Sequence, residues 1–524
     1  MLNFKKKNYV EYIGMLIIVL IGIAMILPLT YKNDYFLDEA MLANSIFTRN
    51  FFRLCATPLD YSQSAQVGYL YIVKFFTLFG GNENFTRISS LIASFITIFL
   101  IYRINKDILK VKFPVFATCF ASCIGVFIQY SSMLKQYTFD TMCIFLAIYL
   151  FGRYIKNKMS LSVLCIFYAL LLWFSFAVIF FIAGILIYIV LDRIFLLIKD
   201  KSLFKTIIKD NIILLLPLVS VLINLFLWLL PSTNNIGYNE NDYWSKLSFP
   251  LIPRSLSDIK LIAIMVFNVI SSLGGILLPL FVIAVLIFIW NLKKYLHNSG
   301  MIALFISFTI ILVASYIGKY PISIRLLIFV PMIAMVATYY IIEKFVSKVK
   351  NIKMQKLGMI LLCAIISVAA INVSFSYFIS RDNVFLGHQV SYNVDYINDN
   401  IKPDDYVYIT AHAIPEYSKQ VNYKYYFNKY LPKPVQKDHF IFGSYYKKSA
   451  IKIPYSYNFN VQDDLLEDNI NAITKYNSVY ILTGGGSNVV KELKELIDKL
   501  KETGTVEVIN EKYHTYLFKY DRLK

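Results

Sequence analysis

Two adjacent carboxylates, Asp38 and Glu39, lie shortly after a long apolar run. In the loop that follows stand Arg49 and Arg53, and after later apolar runs come further cations with hydrogen-bonding neighbours, Lys135-Gln136-Tyr137 and then Lys319-Tyr320-Pro321 with Arg325. A carboxylate within reach of an incoming hydroxyl can take its proton, and fixed positive charge stabilises a departing phosphate. These residue types therefore suit group transfer from a lipid phosphate, provided that one membrane face gathers them. Each also has a plainer reading. Acids favour the first turn of a helix, at the positive end of its dipole. A lysine near a membrane surface extends its head group toward lipid phosphates, and arginine and tyrosine are common interfacial anchors. With 40 tyrosines in the chain, Tyr137 and Tyr320 need more than their position to be singled out.

The elements that hold these residues follow from composition. Of 524 residues, 57% are hydrophobic and only 16% charged, and the mean hydropathy is +0.57. Such a chain, with repeated apolar stretches long enough to cross a bilayer, is a polytopic membrane protein. The run from about Ile13 to Leu29, preceded by Lys5-Lys6-Lys7, is too long for a signal-peptide core, so it is expected to be a retained first span with a cytoplasmic N-terminus. Further spans are expected near 88–103, 113–129, 138–152, 161–175, 177–191, 212–230, 275–292, 301–317, 324–342 and 357–379, about eleven in all. An odd count puts the C-terminus outside.

The net charge of +19 would suit an anionic partner if it were gathered in one place. It sits instead in alternate loops: Arg103, Lys106, Lys110 and Lys112; Arg153, Lys156 and Lys158; Arg193 through Lys209; Lys293 and Lys294; Lys344 through Lys356. The short outer loops carry single cations such as Lys135 or Lys319. This is the positive-inside pattern, so most of the charge reads as orientation signal and not as a nucleic-acid site. Residues 67–80 and 259–273 are apolar but would break this register as full spans, and they are expected to be juxtamembrane or re-entrant helices on the outer face.

Several chemistries are disfavoured. Cys119, Cys123, Cys143, Cys165 and Cys363 fall in expected spans and Cys55 alone in an outer loop, so no disulfide framework is available outside. His297, His388, His412, His439 and His514 show no metal-ligand spacing. Apart from Asp140, the spans contain almost no ionisable side chains, which ion-coupled transporters usually need at mid-membrane.

From about Ser380 the chain turns polar. Tyr406–Thr410 and Ser478–Thr483 read as strands; Gly484-Gly485-Gly486, a helix over about 488–502, a helix stop at Gly504 and two short strands ending near Tyr520 follow. This predicts a small soluble α/β domain over 380–524, after a membrane domain over 1–379 with a long first outer loop at 31–87. The triple glycine lacks the full phosphate-binding patterns and reads as a plain turn.

The Asp38-Glu39 pair in a long first outer loop resembles the Asp-Glu signature of the dolichyl-phosphate-mannose protein mannosyltransferases and their bacterial relatives, including the lipid A aminoarabinose transferases. The run Gln63-Ser64-Ala65-Gln66-Val67-Gly68-Tyr69-Leu70 is similar to the bacterial Q-x-A-P-x-G-F-L, with Gln66 where proline is usual. Phe79-Gly80-Gly81-Asn82-Glu83, Arg87-Ile88-Ser89-Ser90 and Tyr130-Ser131-Ser132-Met133-Leu134-Lys135-Gln136-Tyr137 resemble the motifs that follow, and Pro321 through Pro331 resembles a late loop and span.

The resemblance implies a C-type membrane glycosyltransferase that moves a sugar from a polyprenyl-phosphate donor to a hydroxyl of a lipid, glycan or protein on the outer face of the plasma membrane, with inversion. Asp38 would be the general base and Glu39 would orient the loop or acceptor. Lys135, Arg325, Lys319 and Arg53 would be phosphate ligands, and Gln136, Tyr137, Tyr320 and Gln63 would contact substrate. No cofactor is evident, and nothing in the sequence supports a metal. The contrasting classes are a polyprenol-linked glycan flippase or transporter and a non-catalytic lipid-binding subunit.

Overall fold

The computed structural model describes residues 2–30, 34–60, 63–80, 83–203, 211–229, 247–272, 277–295, 298–379, 390–410, 440–443, 466–484, 487–511 and 515–523. All five histidines and Gly485-Gly486 lie outside these residues.

In chain order the first ten helices are α1 (Leu2–Ile26), α2 (Leu37–Thr48), α3 (Phe51–Ala56), α4 (Val67–Phe76), α5 (Glu83–Arg103), α6 (Pro114–Ser122), α7 (Gly125–Tyr130), α8 (Tyr137–Ile155), α9 (Leu161–Leu171) and α10 (Val178–Lys199). Then come α11 (Leu215–Asn224), α12 (Leu256–Ser272), α13 (Leu278–Trp290), α14 (Ser299–Tyr316), α15 (Phe329–Val346), α16 (Ile352–Ile379) and α17 (Val390–Asn400). The polar C-terminal part holds β1 (Tyr406–Thr410), β2 (Phe440–Gly443), α18 (Leu466–Thr474), β3 (Ser478–Gly484), α19 (Ser487–Leu500), β4 (Gly504–Asn510) and β5 (Thr515–Arg522).

The chain divides into two units. One comprises Met1–Pro28, Ala65–Ile72 and Arg87–Ile379; the other comprises Leu29–Ser64, Val73–Thr86 and Ser380–Lys524.

The first unit is helical, as its apolar runs require: a chain in hydrocarbon must satisfy its backbone internally. Among the described residues seven helices are long and apolar enough to cross a bilayer, beginning with Tyr9–Leu29 and ending with Ile352–Ser374. This makes the chain a multi-pass membrane protein. Leu161–Leu171, Ile212–Leu227 and Leu278–Trp290 are shorter apolar helices. The expected single span at 113–129 is two helices, α6 and α7, interrupted at Cys123-Ile124.

Small residues set the close approaches in this unit. A Cβ on Gly184 of α10 would lie 2.2 Å from Ser307 Oγ of α14, and one on Gly14 of α1 would lie 3.0 Å from the Phe116 backbone of α6. Small-on-small contacts let helices pack closely where the solvent offers no hydrophobic drive. Two acids hold the start of α6. Glu343 accepts the Lys112 N–H at 2.9 and 3.0 Å, and Glu11 accepts the Val115 and Phe116 N–H groups at 3.1 and 3.3 Å. They satisfy donors that a helix N-terminus otherwise leaves unpaired.

The second unit contains a five-stranded sheet in the order β2-β1-β3-β5-β4. β1 runs parallel to both β2 and β3, with Ile409 beside Phe442 and Leu482, whereas β5 is antiparallel to β3 and β4. Helix α19 presents Leu493, Leu496, Ile497 and Leu500 to Tyr408, Val479, Ile481 and Phe518. That is a 3.6-residue stripe meeting a strand face. Gly504, expected to stop the helix, is instead the first residue of β4, and α19 ends at Leu500. Its lack of a side chain has a packing reason: a Cβ there would lie 2.4 Å from the Tyr520 ring.

Candidate active site

In the second unit, α2 starts at Leu37 after an extended N-cap at Phe36, which puts Asp38 and Glu39 in its first turn. Glu39 is 1% exposed, and its Oε2 accepts the Phe36 N–H at 3.0 Å. An acid at the third helical position that reaches back to the N-cap amide is the return half of a capping box. Asp38, one residue earlier, is half-buried.

The approach to α2 is fixed from α5. The Tyr35 hydroxyl lies 2.7 Å from Thr86 Oγ1, which donates to Glu83 O at 2.7 Å, and Asn84 Nδ2 donates to Leu29 O at 2.8 Å. At the far end, Lys74 Nζ donates to Ile46 O at 2.8 Å and lies 3.5 Å from Phe47 O. A cation on the last carbonyls complements the negative end of the helix, while burial lowers the Lys74 pKa.

Arg49 closes the loop behind α2. It pairs with Asp60 at 2.7 Å, and its Nη1 donates to Thr57 O, Thr57 Oγ1 and Pro58 O at 3.1, 3.0 and 2.6 Å. Ser45 Oγ donates to Asp60 Oδ2 at 3.1 Å. Arg53 is exposed on α3, and Gln63 Nε2 lies 3.4 Å from Met41 Sδ.

In the first unit, Lys135 and Gln136 occupy the sharp turn between α7 and α8. Serine hydroxyls end α7: Ser131 Oγ donates to Ile128 O at 2.6 Å and Ser132 Oγ to Gln129 O at 3.4 Å. Ser90 Oγ of α5 donates to Lys135 O at 3.3 Å. Lys135 is only 5% exposed, so it is not a lysine extended over the protein's outer surface toward head groups. A buried ammonium is kept charged by anions or hydrogen-bond acceptors. Arg87, also in this unit and part of the run Arg87-Ile88-Ser89-Ser90, is buried as well, at 4% exposed.

The same unit brings Tyr137, Tyr320 and Asp140 together. Tyr137 meets Tyr130 edge-on at 5.1 Å, and Tyr320 meets Phe180 at 4.8 Å. The Tyr320 hydroxyl donates to Leu326 O at 3.1 Å, which ties down the segment carrying Arg325. Burial, and after it the proximity of Asp140 and Tyr137, pushes the Tyr320 pKa well above its usual value, keeping it a neutral donor. Arg325 is half-buried before α15, and Lys319 is exposed beside Gly318, whose φ of +73° lets the chain turn.

Asp140, to which its sequence position assigns no role, is buried on α8. Its carboxylate accepts the Ser175 hydroxyl and the N–H groups of Phe176 and Ala177, while Ser175 Oγ accepts the Val178 N–H at 3.1 Å. Asp140 on α8 thus holds the turn over 175–177 that leads into α10. A lone acid in an otherwise apolar span was the available signal. Gln66, standing where proline is usual, forms a reciprocal buried amide pair with Asn224 at 3.2 and 3.3 Å. Among the described residues no group of three or more His, Cys, Asp or Glu side chains is arranged to hold a metal.

The fold is similar to that of solved membrane proteins. ArnT from Cupriavidus metallidurans in the apo state superposes with a TM-score of 0.53 at 8% identity, covering 98% of each chain. ArnT from the same organism bound to undecaprenyl phosphate gives 0.49 at 9% identity, covering 96% of this chain and 97% of that one. The archaeal oligosaccharyltransferase AglB from Archaeoglobus fulgidus, in complex with an inhibitory peptide and a dolichol-phosphate, gives 0.48 at 13% identity, covering 99% of this chain and 75% of that one.

At sequence level, the family model described as Dolichyl-phosphate-mannose-protein mannosyltransferase matches residues 65–228. That stretch takes in Gln66, Arg87, Lys135, Gln136, Tyr137 and Asp140; Asp38 and Arg325 fall outside it. No curated protein matches the chain. The resemblance to the dolichyl-phosphate-mannose protein mannosyltransferases therefore holds in sequence over 65–228, and the fold is similar to that of ArnT across the chain.

Proposed function

We propose that this chain is a membrane glycosyltransferase that transfers a sugar from a polyprenyl-phosphate carrier to an acceptor hydroxyl on the extracytoplasmic face of the plasma membrane. The observation that carries the reading is the family match over 65–228 falling on a buried lysine, Lys135, in the turn that also holds Gln136 and leads into α8 at Tyr137. A lysine inside the protein is suited to a phosphate that sheds its partner in the reaction.

Asp38 takes the proton of the acceptor hydroxyl, whose oxygen attacks the anomeric carbon. The bond from that carbon to the phosphate oxygen breaks, polyprenyl phosphate leaves with the electron pair, and the anomeric configuration inverts. Glu39 shapes the start of α2 and so the placement of Asp38. Lys135 and Arg325 neutralise the leaving phosphate, with Lys319 and Arg53 as further cations; Gln136, Tyr137, Tyr320 and Gln63 contact the sugar or acceptor.

The topology belongs to the same proposal. Eleven spans result if the seven long helices are joined by Leu161–Leu171, Ile212–Leu227, Leu278–Trp290 and the broken pair α6–α7. The N-terminus is then cytoplasmic and the 380–524 domain extracytoplasmic, following the membrane domain 1–379 with its outer loop 31–87. The test is transfer from a panel of defined polyprenyl-phosphate sugars to a membrane extract, with products identified by mass spectrometry. A glycosylated acceptor together with released polyprenyl phosphate is the expected result. Movement of intact donor across the bilayer without transfer would make the protein a flippase.

A further inference from the structure

The first unit contains a cavity that the proposed chemistry does not use. It has a volume of about 380 Å³ and is walled by the π-helical segment Ile104–Leu109 that follows α5 and by α8, α10, α14 and α15, with Ile108, Phe151, Ile185, Leu304 and Val336 among its lining. Gly152 borders it, and a Cβ there would lie 2.9 Å from Ile108. The volume falls within the roughly 300–1,000 Å³ typical of small-molecule sites. Protein interiors are packed nearly as densely as organic crystals, and water needs two to four polar partners to occupy a void. The aliphatic walls offer few, so the natural filling is a hydrocarbon chain.

The polar part of the lining says what that chain is attached to. Lys156 and Asn298 lie at the cavity together with Tyr340, and Lys344 Nζ sits 5.6 Å over the Tyr340 ring. Lys156 Nζ donates to Asp107 O and Ile108 O at 3.0 and 2.6 Å, which holds the ammonium where the π segment ends. Burial first, and then the neighbouring charges of Lys110 and Lys158, lower the Lys156 pKa. Like charges are thus held near one another, and an anion placed among them is favoured. Asp107, also close, is already paired with Arg103 at 2.6 Å.

We infer that this cavity binds one acyl chain of an anionic phospholipid, whose phosphate-bearing head group meets Lys156, the lysine that lines it. Charge complementarity selects this occupant over a neutral lipid. Lys156 belongs to one of the loops whose charge pattern marks the cytoplasmic side, so the lipid comes from the inner leaflet; that placement rests on the orientation proposed above, whereas binding itself does not.

The experiment uses the full chain in phosphatidylcholine nanodiscs containing phosphatidylglycerol with a photoactivatable acyl chain. Crosslinks are expected on α8, α14 and α15 around the cavity. Unlabelled phosphatidylglycerol should compete about fivefold better than phosphatidylcholine, the equivalent of about 1 kcal/mol for the cation that meets the head group. Ala337→Phe, which fills the cavity, should remove these crosslinks, and Lys156→Gln should narrow the preference. Labelling that spares these helices, equal competition by both lipids, or stronger competition by undecaprenyl phosphate than by phosphatidylglycerol would each overturn the inference. Sugar transfer is not part of the readout, so failure here leaves the transferase reading untouched, and the reverse holds as well.

Discussion

The Glu39 carboxylate accepts the Phe36 backbone N–H at 3.0 Å while itself 1% exposed. Of two neighbouring acids, therefore, one is committed to starting α2, and Asp38 is held beside it in a defined first turn. Glu39→Gln retains a carbonyl acceptor for the Phe36 N–H and should cost little. Glu39→Ala should destabilise the helix start by about 1 kcal/mol, the scale of a lost cap. Thermal melts of the detergent-solubilised variants separate the two, and equal melting points would remove the capping role.

Lys135 and Arg325 should interact more strongly with the leaving phosphate in the transition state than with bound donor. Lys135→Ala and Arg325→Ala are therefore expected to lower single-turnover transfer more than donor affinity. Arg325→Lys should stay impaired if the contact uses both arms of the guanidinium. Parental rates in all three would move the phosphate site elsewhere, with Lys319 and Arg53 the next to test.

Gln66 and Asn224 form a reciprocal pair, both buried. Removing one partner leaves a buried amide unsatisfied, which costs about 1–3 kcal/mol. Gln66→Ala and Asn224→Ala should each destabilise by that order, and the double variant by clearly less than their sum. Strict additivity in a double-mutant cycle would show that the two amides act independently.

Sidedness can be read with a single cysteine. Glu502 is exposed in the turn after α19. In a cysteine-free background, Glu502→Cys should react with an impermeant thiol reagent in intact cells. Reaction only after permeabilisation would place the C-terminal domain in the cytoplasm and reject the eleven-span map.

The sequence made legible what depends on long-range periodicity. The apolar runs around 138–152 and 177–191 appear as α8 and α10, and the β-branched and aromatic runs at 406–410 and 478–483 appear as strands. Features that depend on tertiary partners were not legible. The break at Cys123-Ile124 is flanked by Ser122 and Gly125, but glycine is frequent in membrane-spanning helices, so the stretch still reads as one span. Phe440–Gly443, a four-residue strand, becomes one by pairing with β1. Gly504 looked like a helix stop because the aromatic ring that requires its glycine, Tyr520, is distant in sequence. Asp140 was visible as an oddity, but its hold on the turn before α10 depends on Ser175, 35 residues away. Glu39 carried both readings, and only the geometry at Phe36 distinguishes its structural part.

The central claim is that Asp38 removes a proton from the acceptor during sugar transfer. It is tested most directly by single-turnover transfer from a polyprenyl-phosphate sugar with Asp38→Asn, measured alongside donor binding. A positioned general base contributes about a hundredfold to ten-thousandfold, so the variant should bind donor like the parent and transfer more slowly by that order. Transfer at the parental rate, with donor binding intact, would contradict the account.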